Sequence, residues 1–92
     1  MAIHFQEESL QTYRTSIEVT GRNEIWIIER GVTVLSETGY AVHADGYQYR
    51  ATLQNEGTLS AWQDYGVRLD GESNWVINNA GATISGRGGV KA

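Results

Sequence analysis

The stretch Asn74-Trp75-Val76-Ile77-Asn78-Asn79-Ala80-Gly81-Ala82-Thr83-Ile84-Ser85-Gly86 carries the pattern from which the fold is predicted. It contains two short runs, residues 74–79, in which apolar residues lie between asparagines, and residues 82–85, in which apolar and polar residues alternate. Gly81 separates the runs and Gly86 ends the second one. Alternation with a period of two, bounded by Gly and Asn, is typical of short β-strands joined by tight turns. The stretch therefore predicts two strands with a corner between them.

The same pattern recurs along the chain at intervals of about 25 residues, a period typical of solenoid repeats. One register holds the apolar residues Ile17, Val42 and Val67, which are evenly spaced at this interval. Like residues recur in the same order, whereas stacked hairpins would give a mirrored order, so equivalent strands should pair in parallel. Three short strands fit into each repeat. The sequence therefore predicts an all-β, single-stranded parallel β-solenoid of about three coils.

Three apolar columns, one on each side of the coil, are expected to fill the interior, where β-branched and aliphatic residues pack well. The predicted core consists of Ile17, Ile27, Val34, Val42, Leu53, Leu59, Val67, Ile77 and Ile84. Glycine adopts positive φ at little steric cost and is expected at the corners. The predicted turn glycines are Gly21, Gly31, Gly46, Gly57, Gly71 and Gly81. Asn55 and Asn79 precede two of these glycines and are expected to stack or to satisfy turn amides.

Residues 1–15 do not follow the repeat, and we interpret them as an N-terminal cap on coils formed by residues 16–92. Within this cap, residues 3–5 could form a strand and residues 7–13 a short helix or an irregular cover. No equivalent segment follows the last repeat. Because unpaired edge strands pair with other chains, we expect a homo-oligomer formed through the C-terminal edge, with the capped N-termini outermost.

Composition argues against several classes of partner. The formal net charge is −4 and the seven basic residues are scattered, whereas nucleic-acid binding needs clustered Lys and Arg. No apolar run approaches the length of a membrane span, so membrane insertion is not expected. The chain has no Cys, which excludes disulfides and cysteine-based metal sites.

The polar residues predict neither a metal site nor a catalytic site. Asp45 and Asp70 each precede a glycine and are explained more simply as turn residues than as calcium ligands. His4 and His43 lie far apart in the sequence. Acidic residues do not recur in a register that would bring two carboxyl groups to face each other, as a glycosidase requires. We therefore expect no cofactor and no enzymatic activity.

Aromatic residues near strand ends are the best candidates for binding. They are Tyr40, Trp62, Tyr65 and Trp75. Exposed rings can stack on sugars or anchor a protein partner. The alternative is that the rings pack over the corners and shield the glycines there. The sequence leaves both interpretations open, with corner packing favoured.

Residues 76–86, together with the looser copy at residues 53–60, resemble a repeat found in autotransporter passengers and in haemolysin-type exported proteins of bacteria. The resemblance implies a right-handed β-helix and an extracellular or cell-surface location. The N-terminus lacks the features of a secretory signal, which fits haemolysin-type export better than autotransport. The calcium motif of the haemolysin-type proteins, G-G-x-G-x-D-x-U-x, is absent, since residues 86–89 lack its aspartate.

The resulting expectation is a structural or scaffold segment, the capped start of a larger bacterial exported or surface protein. One alternative is a carbohydrate- or protein-binding module that uses the aromatic corners. The other is a self-assembling segment of a phage fibre.

Overall fold

The computed structural model describes residues 2–91, and their regular secondary structure consists of β-strands. The first coil holds β1 (Ile3–Gln6), β2 (Leu10–Thr12) and β3 (Ile17–Val19). The second holds β4 (Ile25–Ile28), β5 (Thr33–Ser36) and β6 (Val42–Ala44). The third holds β7 (Thr52–Asn55), β8 (Thr58–Ala61) and β9 (Val67–Leu69), and the fourth holds β10 (Trp75–Asn78), β11 (Thr83–Ser85) and β12 (Val90–Lys91).

Each strand pairs in parallel with its equivalent one coil away, which produces three four-stranded sheets. Sheet A has the order β1-β4-β7-β10, sheet B has β2-β5-β8-β11, and sheet C has β3-β6-β9-β12. The chain visits sheets A, B and C in turn in every coil. The predicted parallel β-solenoid is confirmed, with four coils where about three were expected.

The structure shows no separate cap over residues 2–15. Instead, β1 pairs with β4 and β2 pairs with β5, so this segment begins the first coil. The repeat is hard to see there because the turns differ in length. The partners Ile3 and Ile25 lie closer together in the sequence than the partners Ile17 and Val42 do. The predicted boundary between residues 15 and 16 falls in the turn between β2 and β3.

Sheets B and C supply two columns of the interior. Ile17, Val42 and Val67 are paired in register and are at most 4% exposed. In sheet B, Val34 and Leu59 are completely buried. Their partner in the last coil, Ile84, is half-buried and packs against the same core.

Sheet A is the side on which the predicted column is wrong. Leu53 is buried as expected, but its partners in register are Trp26 and Val76, which pack against the core. Ile27 and Ile77 are paired with Gln54 and lie on the outer side of the sheet, where Ile77 is 42% exposed. The turn 45–51 before β7 is two residues longer than the turn 20–24 before β4, so the partners in sheet A do not keep the interval of the repeat. The predicted column is one residue out of register with Leu53, and a slip of one residue exchanges the inner and outer sides of a strand.

The predicted turn glycines have two different roles. Gly31 and Gly81 have positive φ values of 83° and 84°. At the corner that follows sheet C, Gly21, Gly46 and Gly71 do not have a positive φ. The residues with positive φ at this corner are Asn23, Arg50 and Ser73, none of which is glycine.

Gly57 is required by close approach of two coils rather than by its φ. A Cβ at this position would lie 2.6 Å from the carbonyl oxygen of Glu29 and closer still to that of Val32. The Val32 carbonyl also accepts the hydrogen bond from the N–H of Thr58, at 2.9 Å. An added methyl group therefore cannot be accommodated without separating the second and third coils.

We expect Gly57→Ala to lower the free energy of unfolding by about 2–3 kcal/mol, because overpacking against backbone forces the coils apart. The matched control is Gly46→Ala, where a Cβ would meet nothing within 4 Å and φ is not positive. That control should stay within about 0.5 kcal/mol of the parent. Urea unfolding followed by circular dichroism measures both, and equal effects would contradict the close approach.

Candidate interaction surfaces

The outer surface of each sheet is built from columns of equivalent residues, because every strand alternates inward and outward side chains. The register of the strands therefore decides which outward side chains become neighbours. The three outer surfaces differ in chemistry.

The outer surface of sheet A is mainly apolar, and we refer to it as the apolar face. Six of its eight outward residues are hydrophobic, including the exposed Phe5 (55%) and Trp75 (67%). Its two columns are Ile3, Ile25, Thr52 and Trp75, and Phe5, Ile27, Gln54 and Ile77. Exposed apolar area of this kind marks interaction surfaces in soluble proteins.

The outer surface of sheet B is rich in hydroxyl groups. Thr33, Thr58 and Thr83 form one column in register. In the second column, Ser85 donates a hydrogen bond to the Oγ of Ser60, at 3.1 Å. Sheet B therefore presents mainly short polar side chains, and Leu35 lies beside Ser60 in the second column.

The outer surface of sheet C carries the charged column Glu18, His43, Arg68 and Lys91. The Nδ1 of His43 lies 2.5 Å from the Oε2 of Glu18 one coil away. Its Nε2 lies 3.7 Å from the Oδ2 of Asp70, at the end of the next strand. The sequence of charges along the column runs from acidic in the first coil to basic in the third and fourth.

Arg68 is the centre of the polar contacts on this surface. Its Nε donates to both carboxylate oxygens of Asp70, at 2.9 and 3.1 Å, and its Nη1 donates to the hydroxyl of Tyr40, at 2.9 Å. The ring of Tyr40 stacks on that of His43 with centroids 5.0 Å apart. The hydrogen bonds from Arg68 lower the pKa of the Asp70 carboxyl and raise the pKa of the guanidinium.

We expect Asp70 to contribute stability that depends on pH. Because its pKa is lower in the folded state, the contribution is present above the unfolded pKa of about 3.9 and is lost as pH falls through the folded pKa. The parent should therefore be more stable than Asp70→Asn near neutral pH, and the two should converge below about pH 4.

Thermal unfolding of the parent and of Asp70→Asn at several pH values measures the stability difference. Glu72→Gln is the control, because it removes one nearby charge and should not show the same dependence on pH. A difference between the parent and Asp70→Asn that stays constant down to acidic pH would exclude the ion pair as its source.

The predicted aromatic residues do not form one site. Tyr40, Trp62 and Tyr65 lie at the corner between sheets B and C, whereas Trp75 lies on the apolar face. Tyr40 is engaged by Arg68, and the ring of Tyr65 occupies the space beside Gly88. These two contacts match the corner-packing interpretation. Trp62 and Trp75 are exposed, at 58% and 67%.

The two aspartates weighed as calcium ligands have protein partners. Asp45 accepts a hydrogen bond from the backbone N–H of Tyr47, at 2.9 Å, and Asp70 accepts from Arg68. Among residues 2–91 there is no cluster of three or more His, Asp or Glu side chains placed to hold a metal ion. In the same part of the chain we find no cavity and no helix long and apolar enough to cross a membrane.

A buried amide network lies at the corner between sheets A and B. Asn55 is completely buried, and its Nδ2 donates to the Oδ1 of Asn78 at 2.9 Å and to the carbonyl of Thr83 at 3.0 Å. Its Oδ1 accepts from the N–H of Gly57 at 3.1 Å. The predicted stacking partner, Asn79, is replaced by Asn78, because the corner 79–82 is two residues longer than the corner 56–57.

Two of these features were missed in the sequence. The apolar face was hidden because Ile27 and Ile77 were placed inside. The charged column could have been found, since Glu18, His43 and Arg68 recur at the interval of the repeat and each lies one position after a core residue.

The fold and surfaces define the class of the molecule as a three-sided parallel β-solenoid. No protein family, curated protein or solved structure matches the chain. The resemblance to autotransporter and haemolysin-type repeats therefore remains an expectation from residues 53–60 and 76–86.

Proposed function

We infer that this chain is a structural segment, a short scaffold whose length is set by its number of coils. The observation that carries the proposal is the continuous parallel pairing of all three sheets through four coils. In solenoids each repeat contacts only its neighbours, and such repeats act as additive building units. A stack of this kind holds its outer surfaces at fixed positions relative to one another.

The interchangeability of the coils supports the proposal. Val42 and Val67 occupy the same position in consecutive coils, and so do Thr33 and Thr58. An additional coil of the same length would find the same partners above and below it. We further propose that the segment belongs to an exported or cell-surface protein of bacteria, which rests on the resemblance of residues 53–60 and 76–86.

Duplication of one coil tests the scaffold proposal. A variant in which residues 42–66 are repeated once in tandem should fold with the same β-sheet circular dichroism spectrum. Its length along the solenoid axis should increase by about 4.8 Å, one interstrand spacing. Small-angle X-ray scattering measures that increase.

The matched control is the same duplication with inward and outward residues exchanged in the added coil, at positions 53 and 54 and at positions 59 and 60. Its composition is identical, but the exchange places Gln and Ser inside. This control should fail to fold as a longer solenoid. If the in-register duplication unfolds as readily as the control, the coils are not building units and the scaffold proposal fails.

The proposed location has its own test. An antibody against the chain should detect it in the culture medium or on intact cells of the source organism. Detection only after the cells are broken open would contradict an exported role.

A second candidate is a binding module, supported by the exposed Trp62 and Trp75. A glycan array measures carbohydrate binding directly. Specific binding by the parent that is lost in Trp62→Ala or Trp75→Ala would favour this candidate over a purely structural role.

A further inference from the structure

The two ends of the solenoid have matching surfaces. Within residues 2–91, β1, β2 and β3 have a neighbouring strand on one side only, and so do β10, β11 and β12. Both ends therefore present backbone N–H and C=O groups that no described strand satisfies. Open edges of this kind are templates for another parallel strand.

We propose that copies of this chain stack head to tail, the last coil of one copy pairing with the first coil of the next. The registers within the chain specify the contacts such a junction would make. In sheet B, Ile84, Leu59, Val34 and Leu10 occupy the same column. A second copy placed one interstrand spacing beyond the last coil would therefore put its Leu10 next to Ile84.

The other two sheets match in the same way. In sheet C, Val90 would meet Ile17 of the next copy, because both belong to the inward column through Val42 and Val67. In sheet A, Ile77 would meet Phe5 in one outward column of the apolar face. Apolar residues thus face apolar residues at these three positions, while Val76 would meet His4 in the inward column of sheet A.

The charged column adds a complementary pair. Lys91 ends this column in the fourth coil and Glu18 begins it in the first. Head-to-tail stacking brings Lys91 of one copy next to Glu18 of the following copy, and opposite charges in register favour that orientation. The apolar contacts and the charges therefore favour head-to-tail pairing. The sequence alone predicts the other orientation, tail-to-tail pairing through the C-terminal edges.

Such a junction is small and leaves an open edge at each end of the assembly. The molecule measures 26 × 23 × 20 Å along its principal axes, so one end is smaller than the roughly 800 Å² per partner of a standard interface. Association should be weak and dependent on concentration. Because the contact is heterologous and does not close, it should extend to filaments rather than stop at a dimer.

Sedimentation velocity from micromolar to millimolar concentration tests the association. The parent should show a weight-average sedimentation coefficient that rises with concentration. Glu18→Lys and Lys91→Glu should each weaken association by about tenfold or more, since like charges then face each other. The double variant Glu18→Lys/Lys91→Glu should restore it.

Glu56→Lys is the control for net charge, because it makes the same change in a turn of the third coil. It should associate like the parent. Circular dichroism of each variant verifies that the monomer remains folded. A parent that stays monomeric at millimolar concentration would overturn the proposal.

Cross-linking of introduced cysteines tests the orientation of the copies, because the chain has no Cys of its own. Gln11 and Ser85 share one outward column of sheet B, so head-to-tail stacking places them about 4.8 Å apart, within the Cα range of a disulfide. A mixture of Gln11→Cys and Ser85→Cys chains should form a mixed disulfide dimer on oxidation. Ser85→Cys alone should not.

Disulfide dimers of Ser85→Cys chains alone would show tail-to-tail pairing and overturn the proposal. Head-to-tail assembly extends the proposed scaffold role, but the two proposals have different tests. If the parent stays monomeric, the assembly proposal is wrong, and the result of the coil-duplication experiment still decides the scaffold proposal.

Discussion

Replacement of Leu59 by Asp is expected to unfold the protein. Leu59 is completely buried in the third coil, and its partners in register are Val34 and Ile84. The substitution removes a core side chain, which typically costs about 2–5 kcal/mol, and places a carboxylate in an apolar interior, which costs several more. The sum is comparable to the whole free energy of unfolding of a small domain, about 5–15 kcal/mol.

The control for this prediction is Ser60→Asp in the same strand. Ser60 points outward and accepts a hydrogen bond from Ser85, which a carboxylate can also accept. This control should retain the β-sheet circular dichroism spectrum and a cooperative transition in urea. If Leu59→Asp melts like the parent, Leu59 does not lie in the interior column.

Replacement of Asn55 by Asp is expected to have the second-largest effect, although the two side chains have the same shape. The amide Nδ2 of Asn55 donates to two oxygen atoms, the Oδ1 of Asn78 and the carbonyl of Thr83. A carboxylate oxygen in its place would face two acceptors without a proton between them. We expect a loss of about 3 kcal/mol or more near neutral pH, because the buried carboxylate keeps only the N–H of Gly57 as a donor and its second oxygen faces two acceptors.

The dependence of this loss on pH identifies its cause. Burial and the facing acceptors raise the pKa of the introduced carboxyl above its unfolded value. The penalty is therefore largest above that raised pKa and shrinks as the pH falls below it, where the protonated carboxyl can donate one hydrogen bond. Stability measured against the parent at each pH should show the difference narrowing toward acidic pH.

Gln54→Glu is the matched control, since it makes the same change from amide to carboxylate on the outer side of the same strand. We expect it to change the free energy of unfolding by less than about 0.5 kcal/mol. A loss for Asn55→Asp that is no larger than this, or that does not vary with pH, would contradict the assigned hydrogen bonds.

Turn lengths explain why sheets B and C could be predicted from the sequence and sheet A could not. The turn 45–51 before β7 is two residues longer than the turn 20–24 before β4. The turn 56–57 after β7 is two residues shorter than the turn 29–32 after β4. The two changes cancel, so Thr33 and Thr58 keep the interval of the repeat while Ile25 and Thr52 are two positions further apart. The predicted column aligned Ile27 and Ile77 with Leu53, each one residue away from the true partners Trp26 and Val76. A slip of one residue moves a side chain to the other side of the sheet, which is why Ile27 and Ile77 were placed inside.

The surfaces were less predictable than the core because they depend on side chains from different coils and corners. Tyr40 and Arg68 are far apart in the sequence and meet only because the turn 37–41 of the second coil lies next to strand β9 of the third. The corner role of Arg50, which has a φ of 57°, was also hidden. Glycine was the expected residue for that conformation, and nothing in the composition of the turn marks Arg50 as its replacement.

The parallel stacking of coils also determines how the molecule forms and opens. All strand pairs in residues 2–91 join segments that lie a full coil apart in the sequence, so the chain must close a loop of this size before its first interstrand hydrogen bond forms. The entropic cost is met once, and later coils then add to an existing edge. Strands β4 to β9 are paired on both sides. Their amide protons should exchange with solvent most slowly, and opening should advance inward from the first and last coils.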